Sequence, residues 1–277
     1  MMPTVAQKRA RFAQLHEGPG CFVMPNPWDV GSTVYLSSLG FEALATTSAG
    51  MAFAAGLPDN GVTQAYALRH IGEIVAATPL PVNADFEAGF AATPDDLHET
   101  ARLCIGMGVS GFSIEDYTGD PKAPFYGFAE AVDRIRAARA AIDASGERVL
   151  LTARSEAIVA GHPDGLREAL RRLAAFAEAG ADVLFAPGLK TADTVAEVVR
   201  VAGRLPVNVV VGAPGFAVRQ LADLGVRRIS TGGGLARAAW GGFMRAAEQI
   251  AGEGRFDALA DGASYARLNE LFKGREP

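Results

Sequence analysis

The sequence predicts an α/β chain closed into a (β/α)8 TIM-type barrel, and three observations predict it. Short apolar runs alternate with helix-period segments along the chain, the cycle occurs eight times, and the runs carry almost no interior charge. Strands covered on both faces by helices have that character. Strand–helix alternation calls for a parallel sheet, and eight units call for a barrel. A doubly wound open sheet is the alternative, since the number of units does not itself impose closure.

Residues 5–17 read as a leading helix, followed by the first strand candidate, "CFVMPN" (21–26). The others are "EALATT" (42–47), "PVNADF" (81–86), "GFSIED" (111–116), "VLLTAR" (149–154), "DVLFAP" (182–187), "VNVVV" (207–211) and "RRIS" (227–230). Amphipathic helices between them are clearest at 95–108, 128–146, 164–180 and 191–203, several closing on glycine. Thr93, Asp164 and Thr191 stand where N-caps are needed. After the eighth strand come two further helices with Trp240, Phe243, Tyr265, Leu268 and Phe272 as apolar anchors, which either cap the barrel or dock on another subunit. No linker or composition break divides the chain, so 1–277 reads as one domain: barrel to about 235, C-terminal helices over 236–277.

Composition narrows the partners. At 277 residues, 49% hydrophobic and 21% charged, the chain reads as a globular protein able to bury a large core. A net charge of -5 supplies no basic field for nucleic acid or anionic lipid. Cys21 and Cys104 are too few for a disulfide framework and read as small buried hydrophobes in a reducing cytoplasm. The N-terminal stretch lacks a signal-peptide core and no run of about 18 apolar residues exists, so a cytoplasmic location without a membrane partner is expected.

In a barrel of this kind the active site lies at the C-terminal mouth, so polar residues at strand ends are the candidates. They recur: Asn26, Thr47 and Ser48, Asp85, Glu115 and Asp116, Arg154, Asn208, then Ser230 and Thr231. In "NADFE" the alternation puts Asn83, Asp85 and Glu87 on one face of an extended segment, directed at the mouth. Asp85 and Glu115, one strand apart, suit a common Mg2+, or Mn2+, which takes few carboxylates and keeps waters for substrate to displace. The plainer alternative makes Asp85 a structural hydrogen-bond acceptor and pairs Glu115 with an arginine. Arg154 offers a planar fork to a carboxylate or phosphate. Lys190, past a Pro-Gly turn, raises a Schiff-base aldolase as a further alternative. The glycine-rich stretches 212–215 and 230–234 follow the last two strands, where barrels often hold phosphate and where tight turns also need glycine.

With these motifs in order, from "NPWDVGSTVYLSSLGFEALATTSAG" through "GLPD", "NADFEAGF", "GFSIED", "LTARSEA", "GADVLFAPG" and "PVNVVV" to "LGVRRISTGGG", the chain resembles the isocitrate lyase and phosphoenolpyruvate mutase superfamily in its short bacterial branch. The resemblance implies a barrel whose last helix is exchanged with a neighbour, in a homo-oligomer (tetramer or dimer), and Mg2+-assisted bond making or breaking beside a 2-oxo acid. It implies Asp85 and Glu115 as metal-shell acids, Asp59 as an acid near metal and substrate, and Arg154 as the substrate-anion arginine. Ser48, Ala49 and Gly50 match the turn that holds a substrate carboxylate, and Asn208 matches a polar substrate-side residue.

Two departures qualify it. The family's "D-A-D-T-G" has Asn83 in place of its first aspartate, with Glu87 where the pattern has a small residue. The lyase loop "K-K-C-G-H", whose cysteine protonates the departing succinyl carbanion, has no counterpart in "IEDYTGDPKAPFYG". The expected activity is therefore a Mg2+-dependent carbon–carbon lyase acting on a small 2-oxo dicarboxylate through a metal-stabilised enolate, with oxaloacetate decarboxylation leading. Phosphonomutase or phosphonopyruvate hydrolase chemistry, (methyl)isocitrate cleavage, and 2-oxo acid binding with vestigial turnover are the alternatives.

Overall fold

A computed structural model of the chain describes residues 2–274. The eight strands are β1 (Phe22–Met24), β2 (Leu44–Ala45), β3 (Val82–Asp85), β4 (Gly111–Glu115), β5 (Leu150–Arg154), β6 (Val183–Phe185), β7 (Val207–Val210) and β8 (Arg228–Ser230). All pair in parallel, in the order β1-β8-β7-β6-β5-β4-β3-β2. First and last strands in sequence are thus neighbours, which excludes the open-sheet alternative. The seam between β1 and β2 is bridged where the Ala45 amide donates to the Pro25 carbonyl at 3.1 Å, leaving a nearly closed (β/α)8 barrel. Each strand is shorter than the apolar run containing it: β5 and β8 lose only the first residue of the run, while in the others residues at the C-terminal end leave the ladder toward the mouth.

Helix α1 (Val5–Glu17) precedes the barrel and closes its N-terminal end. Phe12 is fully buried there, while Lys8 and Arg9 cap carbonyls of the barrel wall: Lys8 Nζ reaches Val75 O and Arg9 Nε reaches Val109 O, each at 3.0 Å. The outer helices are α2 (Val30–Ser38), α3 (Ser48–Ala54), α4 (Gln64–Ala77), α5 (Pro94–Gly106), α6 (Phe128–Ser145), α7 (Gly165–Glu178), α8 (Ala192–Ala202) and α9 (Val218–Asp223). The apolar stripes of α4–α9 meet the strands' outward side chains in a main core that includes Phe86, Phe112, Leu151, Leu173 and Phe176, while Met51 and Ala52 of α3 pack with Val62 and Ala67 in a smaller cluster.

Thr93 and Thr191 cap α5 and α8 in reciprocal capping boxes. Asp164 does not cap α7; its carboxylate pairs with Arg167 on the exposed side of the same turn. Cys104 is fully buried, whereas Cys21 is only half-buried, at the start of β1, so the expectation of two buried thiols holds for one.

After β8 come α10 (Gly234–Glu253), a 3-10 turn at Asp257–Asp261 and α11 (Tyr265–Phe272). In the single chain α11 lies against α2, with Arg267 Nη2 donating to the Tyr35 hydroxyl at 2.9 Å and Leu268 and Phe272 in an apolar groove with Leu36 and Leu235. Tyr265 points into solvent, and Trp240, Phe243 and Met244 leave an apolar strip of α10 uncovered. Among the described residues, no helix is long and apolar enough to cross a membrane.

Candidate active site

The strand ends deliver their polar residues to one cavity of about 220 Å3 at the C-terminal mouth. Ser48, Ala49, Asp59, Asp85, Arg154 and Asn208 all line it. Glu115 lines the adjoining cavity, which shares Ser48, Asp59 and Arg154 with the first.

Asp85 ends β3, and its carboxylate is held from three sides. Oδ2 accepts from the Ser48 amide and hydroxyl, each at 3.0 Å, and Oδ1 accepts from Arg154 Nη1 at 3.3 Å and Ser113 Oγ at 3.5 Å. Arg154 ends β5 and stands beside Glu115 because β4 and β5 pair those two residues in register. Its Nη1 is shared between Asp85 Oδ1 and Glu115 Oε2, the latter at 3.2 Å, while Nε meets Glu156. The guanidinium carbon stands 5.2 Å from the Phe185 ring centroid.

One cation therefore stands among five acids: Asp85, Glu115 and Glu156 in direct contact, with Asp59 and Glu87 close enough to feel its charge. Burial raises the Glu115 carboxyl above its ordinary range; Arg154 opposes the rise, while Glu156, Asp85 and Glu87 add to it. Burial likewise raises Glu156, against Arg154. Asp59 comes from the loop after α3 and is raised by burial and then by Asp85. The plain alternative for Asp85 and Glu115 is thus visible in their hydrogen bonds, but the acids exceed what one guanidinium can neutralise.

Glu87 departs from the expected alternation. The strand ends at Asp85, and Glu87 takes a left-handed backbone (φ 49°), so its side chain leaves the face shared by Asn83 and Asp85 and enters a neighbouring cavity under the 117–127 loop. Gly89 follows with φ 85°, and a Cβ there would lie 2.1 Å from Leu97 Cδ1; the glycine of "FEAGF" lets the chain turn against α5. Glu87 Oε1 is buried without a hydrogen-bond partner, and burial, Asp85 and Asp59 push the carboxyl up to about 8.

The Ser48–Gly50 turn differs from expectation at Gly50. Its amide donates to Thr47 Oγ1 at 3.2 Å as part of the α3 cap, and its lack of a side chain serves packing, since a Cβ would come within 2.9 Å of Trp28 Cβ. With both Ser48 donors on Asp85, the Ala49 amide is the turn's donor left for a ligand. Asn208 Oδ1 accepts from Arg228 Nε at 2.8 Å and its Nδ2 donates to Ser230 Oγ at 3.0 Å. Asn26 Oδ1 gathers the amides of Thr231 and Gly232, at 2.8 and 2.9 Å, and so ties the glycine-rich turn after β8 to β1. Asp116 points away from the cavity, bonding Arg172, Ser155 Oγ and the Glu156 amide. Lys190 is exposed, outside the cavity.

Asn83 also differs from its expected place beside the metal acids. It is buried one layer below Asp85, where Oδ1 receives Arg228 Nη1 at 3.5 Å. Sequence reading missed Arg228 and Glu156. The signals were there: an arginine in the interior of the strand candidate "RRIS", and an acid two residues past Arg154 in "ARSEA".

Among the described residues no three His, Cys, Asp or Glu side chains converge as a metal cage. A hard cation that retains water needs only one or two carboxylates. The carboxyl groups gathered on Arg154 beyond its single charge, Asp85, Glu115 and Glu156, fit such an ion.

The sequence profile of the phosphoenolpyruvate phosphomutase family matches residues 12–251. A solved candidate lyase/mutase from Burkholderia cenocepacia J2315 superposes with a TM-score of 0.93 at 46% identity, covering 97% of each chain. An uncharacterized Mycobacterium tuberculosis H37Rv protein is 30% identical over 80% of this chain and 81% of its own length. The 2-methylisocitrate lyase of Salmonella typhimurium LT2 is 33% identical over 53% of this chain and 50% of its own. Taken with the barrel and its acid-rich mouth, these matches place the chain in the phosphoenolpyruvate phosphomutase family of the isocitrate lyase superfamily.

Proposed function

We propose that the chain is a Mg2+-dependent carbon–carbon lyase that decarboxylates a small 2-oxo dicarboxylate, with oxaloacetate the leading substrate. The observation that carries this reading is the excess of carboxyl groups around Arg154 beside a small cavity that the polar strand-end residues line. Asp85 would hold the ion, with Glu115, Asp59 and Glu87 as surrounding acids. When bound, the ion supplies electron withdrawal from the 2-oxo group.

The chain's own residues do the rest. Ser48 fixes the Asp85 carboxylate through two hydrogen bonds. Ala49 and Asn208 contact the substrate from the walls, and Arg154 balances charge beside the reacting bond. That bond breaks heterolytically: its electron pair stays on the carbon next to the 2-oxo group, carbon dioxide leaves, and a proton returns to that carbon to give the 2-oxo monocarboxylate. Asp59, which lines both cavities at the mouth, is the group placed to deliver this proton. Release of carbon dioxide itself asks no proton of the enzyme, which agrees with a 117–127 loop without cysteine or histidine.

Phosphonopyruvate is the second reading, supported by the family match, because breaking its carbon–phosphorus bond leaves the same electron pair on carbon. The uncovered α10 strip of Trp240, Phe243 and Met244 supports assembly with a second copy, which light scattering of the eluting protein would register as at least a dimer. The test of function is an assay of oxaloacetate, phosphonopyruvate, methylisocitrate and isocitrate, with and without Mg2+. Metal-dependent pyruvate release from oxaloacetate is expected. Turnover of phosphonopyruvate alone would favour the second reading, and tight 2-oxo acid binding with no turnover would make the chain a binding protein.

A further inference from the structure

The cation at the floor of the cavity has no counter-ion. Arg228 is 2% exposed, and it donates from Nε to Asn208 Oδ1 at 2.8 Å, from Nη2 to Thr152 Oγ1 at 3.0 Å and from Nη1 to Asn83 Oδ1 at 3.5 Å. His16 Nε2 lies 3.4 Å from the same Nη1. The other ring nitrogen, Nδ1, faces the Phe12 carbonyl at 2.8 Å. A carbonyl only accepts, so the proton sits on Nδ1 and Nε2 offers its lone pair to the guanidinium. Burial, with Arg228 next, pushes the His16 pKa down to about 3 and keeps the ring neutral.

Every partner of Arg228 is thus a neutral acceptor. Burial pushes its pKa down to about 9, and no described carboxylate acts against that. Arg172, equally enclosed, shows the usual solution, meeting Asp116 at 3.1 Å and Glu168 at 2.7 Å. A buried charge without a counter-ion is destabilising, so the fold tolerates at Arg228 what it avoids at Arg172. Asn83 is central to this: an aspartate there would neutralise the guanidinium, whereas the amide only solvates it. Gly111 makes the room, since a Cβ on it would lie 3.0 Å from Asn83 Oδ1 and 2.8 Å from Phe12 Cε1.

Arg228, Asn83 and Asn208 line the same cavity as Asp85 and Arg154. On β8, Arg228 precedes Ser230 by two residues and so faces the interior one layer deeper. Four of the five guanidinium N–H groups are engaged, leaving one on Nη2.

We propose that Arg228, seated on Asn83 and Asn208, is a specificity-determining anion subsite at the inner end of the cavity that binds the carboxylate retained by a small dianionic substrate. The retained carboxylate is the one that fits chemically. Arg154 already stands beside the reacting bond, and a second cation one layer deeper reaches the other end, whose charge persists through the reaction, so that it anchors the substrate throughout.

The inference rests on the reading that this cavity takes small organic anions, and not on turnover. Its test is calorimetric titration, in Mg2+ buffer and in chelator, with succinate and butyrate, four-carbon acids differing by one carboxylate. The wild type is expected to prefer succinate at least about tenfold, and Arg228→Met to lose at least about tenfold of that preference. Arg228→Lys, which keeps the charge, recovers part of it. Asn83→Asp gives the guanidinium an internal partner and reduces the preference while keeping a cooperative melt, so it decides the matter if Arg228→Met does not fold. No succinate preference in the wild type, or an unchanged ratio in the folded variants, overturns the subsite. A shifted ratio with no oxaloacetate turnover would sink the proposed reaction alone.

Discussion

The two arginines of the cavity keep opposite company. At the mouth, Arg154 is outnumbered by carboxyl groups; at the floor, Arg228 meets only amides, a hydroxyl and a neutral imidazole. The mouth therefore gathers more carboxyl groups than one cation can pair, and the floor holds a cation with no carboxyl partner. A ligand that satisfies both is a cation above and an anion below, as a metal ion and an organic acid would be. The same cavity holds both conditions because alternate residues of β3, Asn83 and Asp85, serve different layers.

The comparison breaks most severely at Arg154. Arg154→Met leaves Asp85, Glu115 and Glu156 facing one another, and a loss of about 3–5 kcal/mol of stability is expected, read as a fall in denaturation midpoint. Substitution at Glu115 in the same background should restore part of it.

Chelation probes the mouth without mutation. Excess EDTA is expected to remove turnover of oxaloacetate, and added Mg2+ to restore it.

Glu87 gives a smaller, pH-dependent effect. Its carboxyl is raised from 4.5 to about 8, so below 4.5 both folded and unfolded chains are protonated there and nothing is lost. As pH rises from there toward 8 the unfolded chain ionises first, and stability falls across that window. Glu87→Gln removes the drop, raising Tm by about 3 °C or more at pH 8 and by little at pH 4.5.

The smallest effect belongs to Lys190, exposed beyond β6. Lys190→Ala should leave turnover unchanged, and borohydride should trap no adduct; trapping would revive the Schiff-base alternative.

The strands, the leading helix and the two threonine caps were legible because each is a local pattern: an apolar run, a 3.6-residue stripe, a hydroxyl before a helix. The convergence of the strand-end residues was legible in the same way, since the barrel sends them to one place. What stayed hidden depends on partners distant in the chain. Arg228 is separated from Thr152 by 76 residues and from His16 by 212, so nothing near "RRIS" tells whether its arginine faces a carboxylate or an amide. Glu87 was misplaced for a different reason: a left-handed backbone at a glutamate carries no sequence mark. Gly50 read as an amide donor because its packing against Trp28 is tertiary.

The central claim is that Asp85 organises a metal-dependent decarboxylation at the mouth. The direct measurement is the initial rate of pyruvate formation from oxaloacetate in Mg2+ buffer, for wild type and Asp85→Asn, against Mg2+ without protein. The account predicts a wild-type rate well above that blank and a fall of at least about 100-fold in the variant. A variant that keeps the wild-type rate, or a wild type no faster than Mg2+ alone, would contradict it.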